Sequence, residues 1–178
     1  PEESLEVLAQ FKLINKIFRT SFFNDLRTNQ QVGYIVTSSS GTVHDFPALS
    51  MMIVSDNTNL QDLKEKIINF QYGFSAAFEQ IDKKTLQGLQ RALLEEMTKK
   101  PENIFVEASP YISDWQKGDY SFDTADQMKN YIEDATKDDL IKLTNKIFFD
   151  GVFMNSTVQL KGDDFKESSY FSWQNMSK

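Results

Sequence analysis

The chain passes from one backbone periodicity to another within a single short run, Phe22-Phe23-Asn24-Asp25-Leu26-Arg27-Thr28-Asn29-Gln30-Gln31-Val32-Gly33-Tyr34-Ile35-Val36. Upstream of it, Leu5, Leu8, Phe11, Leu13, Ile14, Ile17, Phe18 and Phe22 recur at spacings of three and four, the period of a helix with one buried face. That helix is expected from about Ser4 to Leu26 and should end near Thr28. Downstream, Val32 to Thr37 alternates as a strand does, with Val32, Tyr34 and Val36 on one face and Gly33 and Ile35 on the other. The polar residues between the two segments form a turn. Arg27 and Tyr34 therefore stand seven positions apart, on either side of the join between a helix and a strand.

The remaining sequence continues in the same alternation of patterns. Ser38-Ser39-Ser40-Gly41 reads as a turn, and the apolar run from about Ala48 to Val54 reads as a second strand buried on both faces, paired with the first as an antiparallel hairpin. Thr58-Asn59-Leu60-Gln61 has the form of a capping box ahead of Leu60, Leu63, Ile67, Phe70, Phe74, Phe78 and Ile81 at helical spacing. Asp82 can cap a further helix carrying Leu86, Leu89, Leu93 and Met97, which Pro101 stops. Another helix is expected from Pro101 to about Lys117, disturbed by Pro110 and ended by Gly118. Capping patterns at Thr124 and Thr136 open two more, the second ending at Gly151. Val152 to Leu160 alternates loosely as a last strand, and Gly162 to Lys178 reads as a less ordered polar tail. The order implies an α+β fold, an antiparallel sheet covered by helices on one face, in a single domain spanning 1–178.

The pattern L-R-T-x-x-Q-V-G-Y-I-V preceded by F-F-N resembles the C-terminal half of the pitrilysin/insulinase family of zinc peptidases. The resemblance runs from about Leu5 to Leu160, with weaker points of agreement at Lys99-Lys100-Pro101, Trp115 and Tyr120-Ser121-Phe122-Asp123. It implies a zinc-free C-terminal domain of an endopeptidase that cuts peptides inside a closed chamber. The N-terminal half of the same polypeptide would supply the zinc and the Glu that activates water, and this chain alone would be inactive. Arg27 and Tyr34 match the residues that, in the family, reach across the chamber to the bound peptide. Domains of the family begin with sheet strands ahead of this helix, so the chain reads as lacking its first strand or strands, and an exposed sheet edge would invite self-association. The same superfamily also includes degenerate members that organise complexes, which leaves a non-catalytic scaffold or binding subunit as the alternative. An H-x-x-E-H motif in the complete polypeptide separates the two.

Chemistry elsewhere in the chain is sparse. A guanidinium and a phenol at Arg27 and Tyr34 are donors able to hold a peptide carbonyl oxygen as it gains charge; the plainer reading is a solvated Arg at a helix end and a Tyr filling a strand position. His44 is the one histidine and there is no cysteine; a catalytic zinc takes three protein ligands with His, Glu or Asp donors at suitable spacing, and His44 has no histidine partner, so no metal site is expected in this chain. Glu95, Glu96, Asp138 and Asp139 form adjacent pairs on expected helices, where neighbours diverge by about 100° and read as solvated charges or caps. Phe22, Phe23, Phe70, Phe74 and Phe78 read as core, whereas Phe46, Tyr170, Phe171 and Trp173 lie outside the stripes and are candidates to face a partner or substrate. The 26 acidic against 19 basic residues give a net charge of −7 spread along the chain, which argues against nucleic acid as a partner. No apolar run is long enough for a membrane span. The lack of cysteine fits a cytoplasm or a periplasm alike, and the bacterial relatives of the family point to the periplasm.

Overall fold

The computed structural model describes residues 2–150 and 155–172, with side chains described from residue 5 onward. Its first helix, α1 (Glu2–Phe22), passes directly into a π-helical segment, Phe23–Asn29. A hairpin follows, β1 (Ile35–Val43) and β2 (Phe46–Val54), and then α2 (Leu60–Phe78), α3 (Lys83–Met97), α4 (Ile104–Lys117), α5 (Thr124–Asp134) and α6 (Lys137–Phe148). A 3₁₀ turn lies at Asp163–Phe165. The fold is α+β, as the pattern implies, with helices packed on one face of an antiparallel sheet.

The core is organised around α1, which touches both strands and helices α2, α3, α5 and α6. Ala9 and Phe11 are both buried although two positions on a helix lie about 200° apart, so α1 is enclosed on more than the one side that its spacing implied. Phe18 is the hub of an aromatic cluster. Its ring lies 5.3 Å from Phe22, 5.2 Å from Phe70, 4.9 Å from Phe74 and 5.6 Å from Phe148, a mixture of stacked and edge-on contacts that joins α1, α2 and α6. Phe23, by contrast, is half exposed and does not belong to this core as expected, because it leaves the buried stripe where the helix widens.

The hairpin register pairs Ile35 with Val54 and Val43 with Phe46. Its turn is not Ser38-Ser39-Ser40-Gly41, which lies inside β1, but His44-Asp45, both at positive φ (48° and 67°), as a two-residue primed turn requires. The serines are accommodated in the strand by side-chain pairing: Ser38 Oγ donates to Asn15 Oδ1 at 2.6 Å, and Ser39 and Ser50 hydroxyls meet at 2.8 Å across the ladder. Val36 is buried, and Leu49, Met51 and Ile53 pack on the core from the same face. The other face is open, with Ile35, Val43, Phe46 and Met52 exposed, so β2 is not buried on both faces as its apolar run implied.

Helix ends follow local chemistry. Asn59, rather than Thr58, caps α2 through Asp62 N–H, Asp82 caps α3 through Thr85 N–H, and Asn103 opens α4. Gly118 stops α4 at φ 74°, and Thr136 with Asp139 forms a complete capping box on α6. α6 ends at Phe148 with Phe149 as its cap, and Gly151 lies outside the described residues. The last strand is not formed over the described part of its range. Val152 to Met154 lie outside the described residues, and 155–160 is irregular, with Val158 and Leu160 exposed and no neighbouring strand to receive them among the described residues. Gln159 instead pairs with the backbone of Phe171, its Nε2 donating to Phe171 O at 2.7 Å and its Oε1 accepting from Phe171 N–H at 3.0 Å. Lys64 of α2 donates to Ser172 O and lies over the Phe171 ring.

Replacing Phe18 by Ala should cost about 3–5 kcal/mol, as loss of a buried ring does. Urea unfolding at unchanged m would register this as a large fall in midpoint. Asp45→Gly should instead raise stability by about 0.5–1 kcal/mol, since only glycine takes the turn's positive φ without a steric penalty.

Candidate functional site

Leu26, fully buried, pins the segment that carries Arg27. Around it the helix is wider than an α-helix: Gln30 N–H bonds to Asp25 O, five residues back, at 2.9 Å. Such π turns are short and are often found at functional sites, because they displace side chains that a regular helix would stack. The helix then closes with Val32 N–H on Leu26 O at 2.9 Å, and Val32 is buried. Gln30 is fixed from two sides, its Nε2 donating to Asp25 Oδ2 at 3.1 Å and its Oε1 accepting from Lys66 Nζ at 3.0 Å. Gln31 takes the left-handed conformation, φ 52°, and its carbonyl accepts from Asn57 Nδ2 at 3.0 Å.

Gly33 explains why the motif needs glycine at this point. A Cβ there would stand 2.3 Å from the Val54 carbonyl oxygen and 3.0 Å from the Ser55 Cα, so only a residue without a side chain lets the chain pass the end of β2. One residue on, Tyr34 N–H bonds to the same Val54 oxygen at 3.0 Å, and regular pairing begins at Ile35. Val32 and Val36 are buried while Tyr34 is 58 % exposed. The expected alternation that put Tyr34 on their face fails, because the strand is not regular until after the turn. Arg27 is half-buried. Among the described residues, neither its guanidinium nor the Tyr34 phenol has a hydrogen-bond or ion-pair partner, so two polar donors stand free on a frame held by buried side chains and backbone bonds.

A cleft of about 660 Å³ lies beside this frame. Lys12, Asn15, Lys16, Arg19 and Thr20 of α1 line it with Phe23 and Asn24 of the π segment, Val36, Thr37 and Ser40 of β1, and Leu93 and Glu96 of α3. Arg27 and Tyr34 are not among its walls. Lys16 bonds Glu96 at 2.5 Å, and that hydrogen bond and charge, helped by Lys99 and Lys12, hold the Glu96 carboxyl below the usual carboxylate range. These polar residues recur along α1 at helical spacing, beside the apolar stripe, and that spacing is the signal by which the cleft wall could have been found.

The other candidates stay apart. His44 sits exposed at the hairpin tip, next to Asp45, whose carboxylate lies 3.9 Å from Lys117 Nζ. Among the described residues no three His, Cys, Asp or Glu groups converge as metal ligands, so these residues do not fit a zinc ion. Asp139 serves the α6 cap, and Glu95 and Asp138 are exposed. Phe46 and Tyr170 are exposed, Phe171 is half-buried beneath Lys64, and Trp173 lies outside the described residues. No described helix is long and apolar enough to cross a membrane.

Gly33→Ala should destabilise the protein by about 1–3 kcal/mol, the usual cost of forcing an extra methyl into a packed site. Thermal unfolding measures it, and an unchanged midpoint would mean that the chain passes Val54 less closely than described.

Residues 13–112 match the family model described as PQQ synthase PqqF-like, C-terminal lobe domain 4. Protease 3 of Escherichia coli (strain K12) is 23% identical over 175 residues, which cover 95% of this chain and 18% of that protein. The A-factor-processing enzyme of Saccharomyces cerevisiae is 26% identical over 138 residues, 78% of this chain and 13% of the relative. The insulin-degrading enzyme of Homo sapiens is 27% identical over 131 residues, 74% of this chain and again 13% of the relative. The chain thus spans less than a fifth of the length of these curated relatives. Among solved structures, the crystal structure of pitrilysin superposes with a TM-score of 0.75 at 23% identity, covering 80% of this chain and 15% of that one.

Proposed function

Because the chain belongs to the PqqF-like C-terminal lobe domain 4 family, and so to the C-terminal domains of pitrilysin/insulinase-type peptidases, we propose that it is the zinc-free part of a zinc endopeptidase that degrades peptides in a closed chamber. The observation that carries this reading is the pair of unpartnered donors, Arg27 and Tyr34, on the rigid turn between the π segment and β1. The guanidinium is a permanent multi-donor cation suited to holding a substrate backbone carbonyl or carboxylate in register. The phenol is a neutral donor able to stabilise a carbonyl oxygen as negative charge develops on it. The backbone that carries both groups is held by the frame beneath them, so little backbone reorganisation is needed when the peptide arrives. Zinc, where the complete peptidase binds it, supplies the activated water; its ligands lie in the N-terminal half of the polypeptide, which is this chain's partner.

In the complete polypeptide, Tyr34→Phe should lower kcat by about 10²- to 10³-fold, the cost of losing one donor to the developing oxyanion. Arg27→Ala should raise KM as well, since a binding clamp is lost. Zinc content and melting temperature should be unchanged in both. Normal kcat and KM in folded, zinc-loaded variants would overturn the assignment. The isolated chain should retain no stoichiometric zinc after dialysis and cleave no fluorogenic peptide; one tightly held zinc with peptidase activity would contradict the division of labour.

A further inference from the structure

We propose that Asn57, on the link between β2 and α2, is a positioning residue that sets where the Tyr34 phenol stands relative to Arg27. The inference rests on the reading of those two residues as substrate donors. Gln31 lies between them at φ 52°, a conformation that a residue with a Cβ adopts only against a steric penalty. The helix-closing bond from Val32 N–H to Leu26 O supports it from within the chain, and a second grip comes from outside. Asn57 Nδ2 donates to the Gln31 carbonyl at 3.0 Å.

The Asn57 amide is not free to swing. Its Oδ1 accepts from Ser55 Oγ at 3.1 Å and from Thr58 Oγ1 at 2.8 Å, which leaves only its NH₂ end to face Gln31. Ser55 Oγ in turn accepts from the backbone N–H groups of Asn57 and Thr58, at 3.3 and 3.0 Å. Residues 55–58 are a closed polar knot directed at one carbonyl.

Directly beyond Gln31, Val32 is buried with its N–H on Leu26 O at 2.9 Å, and two residues later Val54 O takes the Tyr34 N–H at 3.0 Å with Gly33 pressed against it. A relaxation of Gln31 toward negative φ therefore pulls on the Val32 anchor and, through Gly33, on the backbone leading into Tyr34. Arg27 lies on the other side of the turn, in the π segment pinned by Leu26 and by Gln30 between Asp25 and Lys66. Loss of the Asn57 bond therefore shifts the phenol and leaves the guanidinium in place. A donor to a developing oxyanion tolerates little displacement, whereas ground-state binding through Arg27 is untouched.

In the complete peptidase, Asn57→Ala should reduce kcat by about 3- to 10-fold with KM unchanged, the scale of one net hydrogen bond expressed in the transition state. In a Tyr34→Phe background the same change should cause no further loss, because the group it aims is gone. Gln31→Gly, which takes the left-handed turn without penalty, should restore kcat of Asn57→Ala to within about twofold. Normal turnover in Tyr34→Phe would overturn the donor reading itself. A slow Tyr34→Phe beside a wild-type kcat in Asn57→Ala, losses that multiply in the double variant, or no rescue by Gln31→Gly would overturn the positioning role alone.

Discussion

Enclosure of α1 is the constraint on which the other elements depend. The helix runs through the middle of the domain with the hairpin on one side and α2, α3, α5 and α6 around it, and its fully buried residues include Ile14, Phe18 and Phe22. The rings of Phe18, Phe22, Phe70, Phe74 and Phe148 then tie three helices at one point. Since a packed aromatic cluster tolerates little displacement, the C-terminal end of α1 is held in one place, and everything that leaves it starts from a fixed position.

What leaves it is the π segment and the turn to β1. A widened turn, a left-handed glutamine and a glycine with no room for a methyl are each unfavourable or restrictive alone. They persist because buried anchors flank them, Leu26 and Val32 within the turn and Val36 just beyond it, and because the end of β2 supplies the acceptor for Tyr34 N–H. The result is a rigid irregular segment that presents Arg27 and Tyr34 without using them internally.

Much of the architecture was legible from spacing. The helical stripes, the caps at Asp82 and Thr136, the glycine stop at Gly118 and the existence of the hairpin follow from local rules that operate within one or two turns. The misreadings share a cause. Ser38 to Gly41 has turn composition, yet the strand continues through it because Ser38 finds Asn15 and Ser39 finds Ser50, partners 23 and 11 residues away. The apolar run of β2 looks doubly buried, but among the described residues nothing packs over its outer face. Residues 155–160 carry a weak alternation and form no strand, because a strand needs a neighbour as well as a pattern.

For the candidate site the division is sharper. The sequence by itself determined which groups are present: a guanidinium and a phenol seven positions apart across a helix-to-strand join, with a glycine between them and no set of metal ligands around them. Side-chain identity and local periodicity are properties of the chain, and they suffice for that much. Only the tertiary structure decided that the helix widens before Arg27, that Gly33 is pressed against Val54, that Gln31 is held from Asn57, and that Tyr34 faces outward between two buried valines. Most of these depend on contacts with β2 and the link to α2, segments about twenty residues or more away, whose approach is set by the packing around α1 and by no short-range rule.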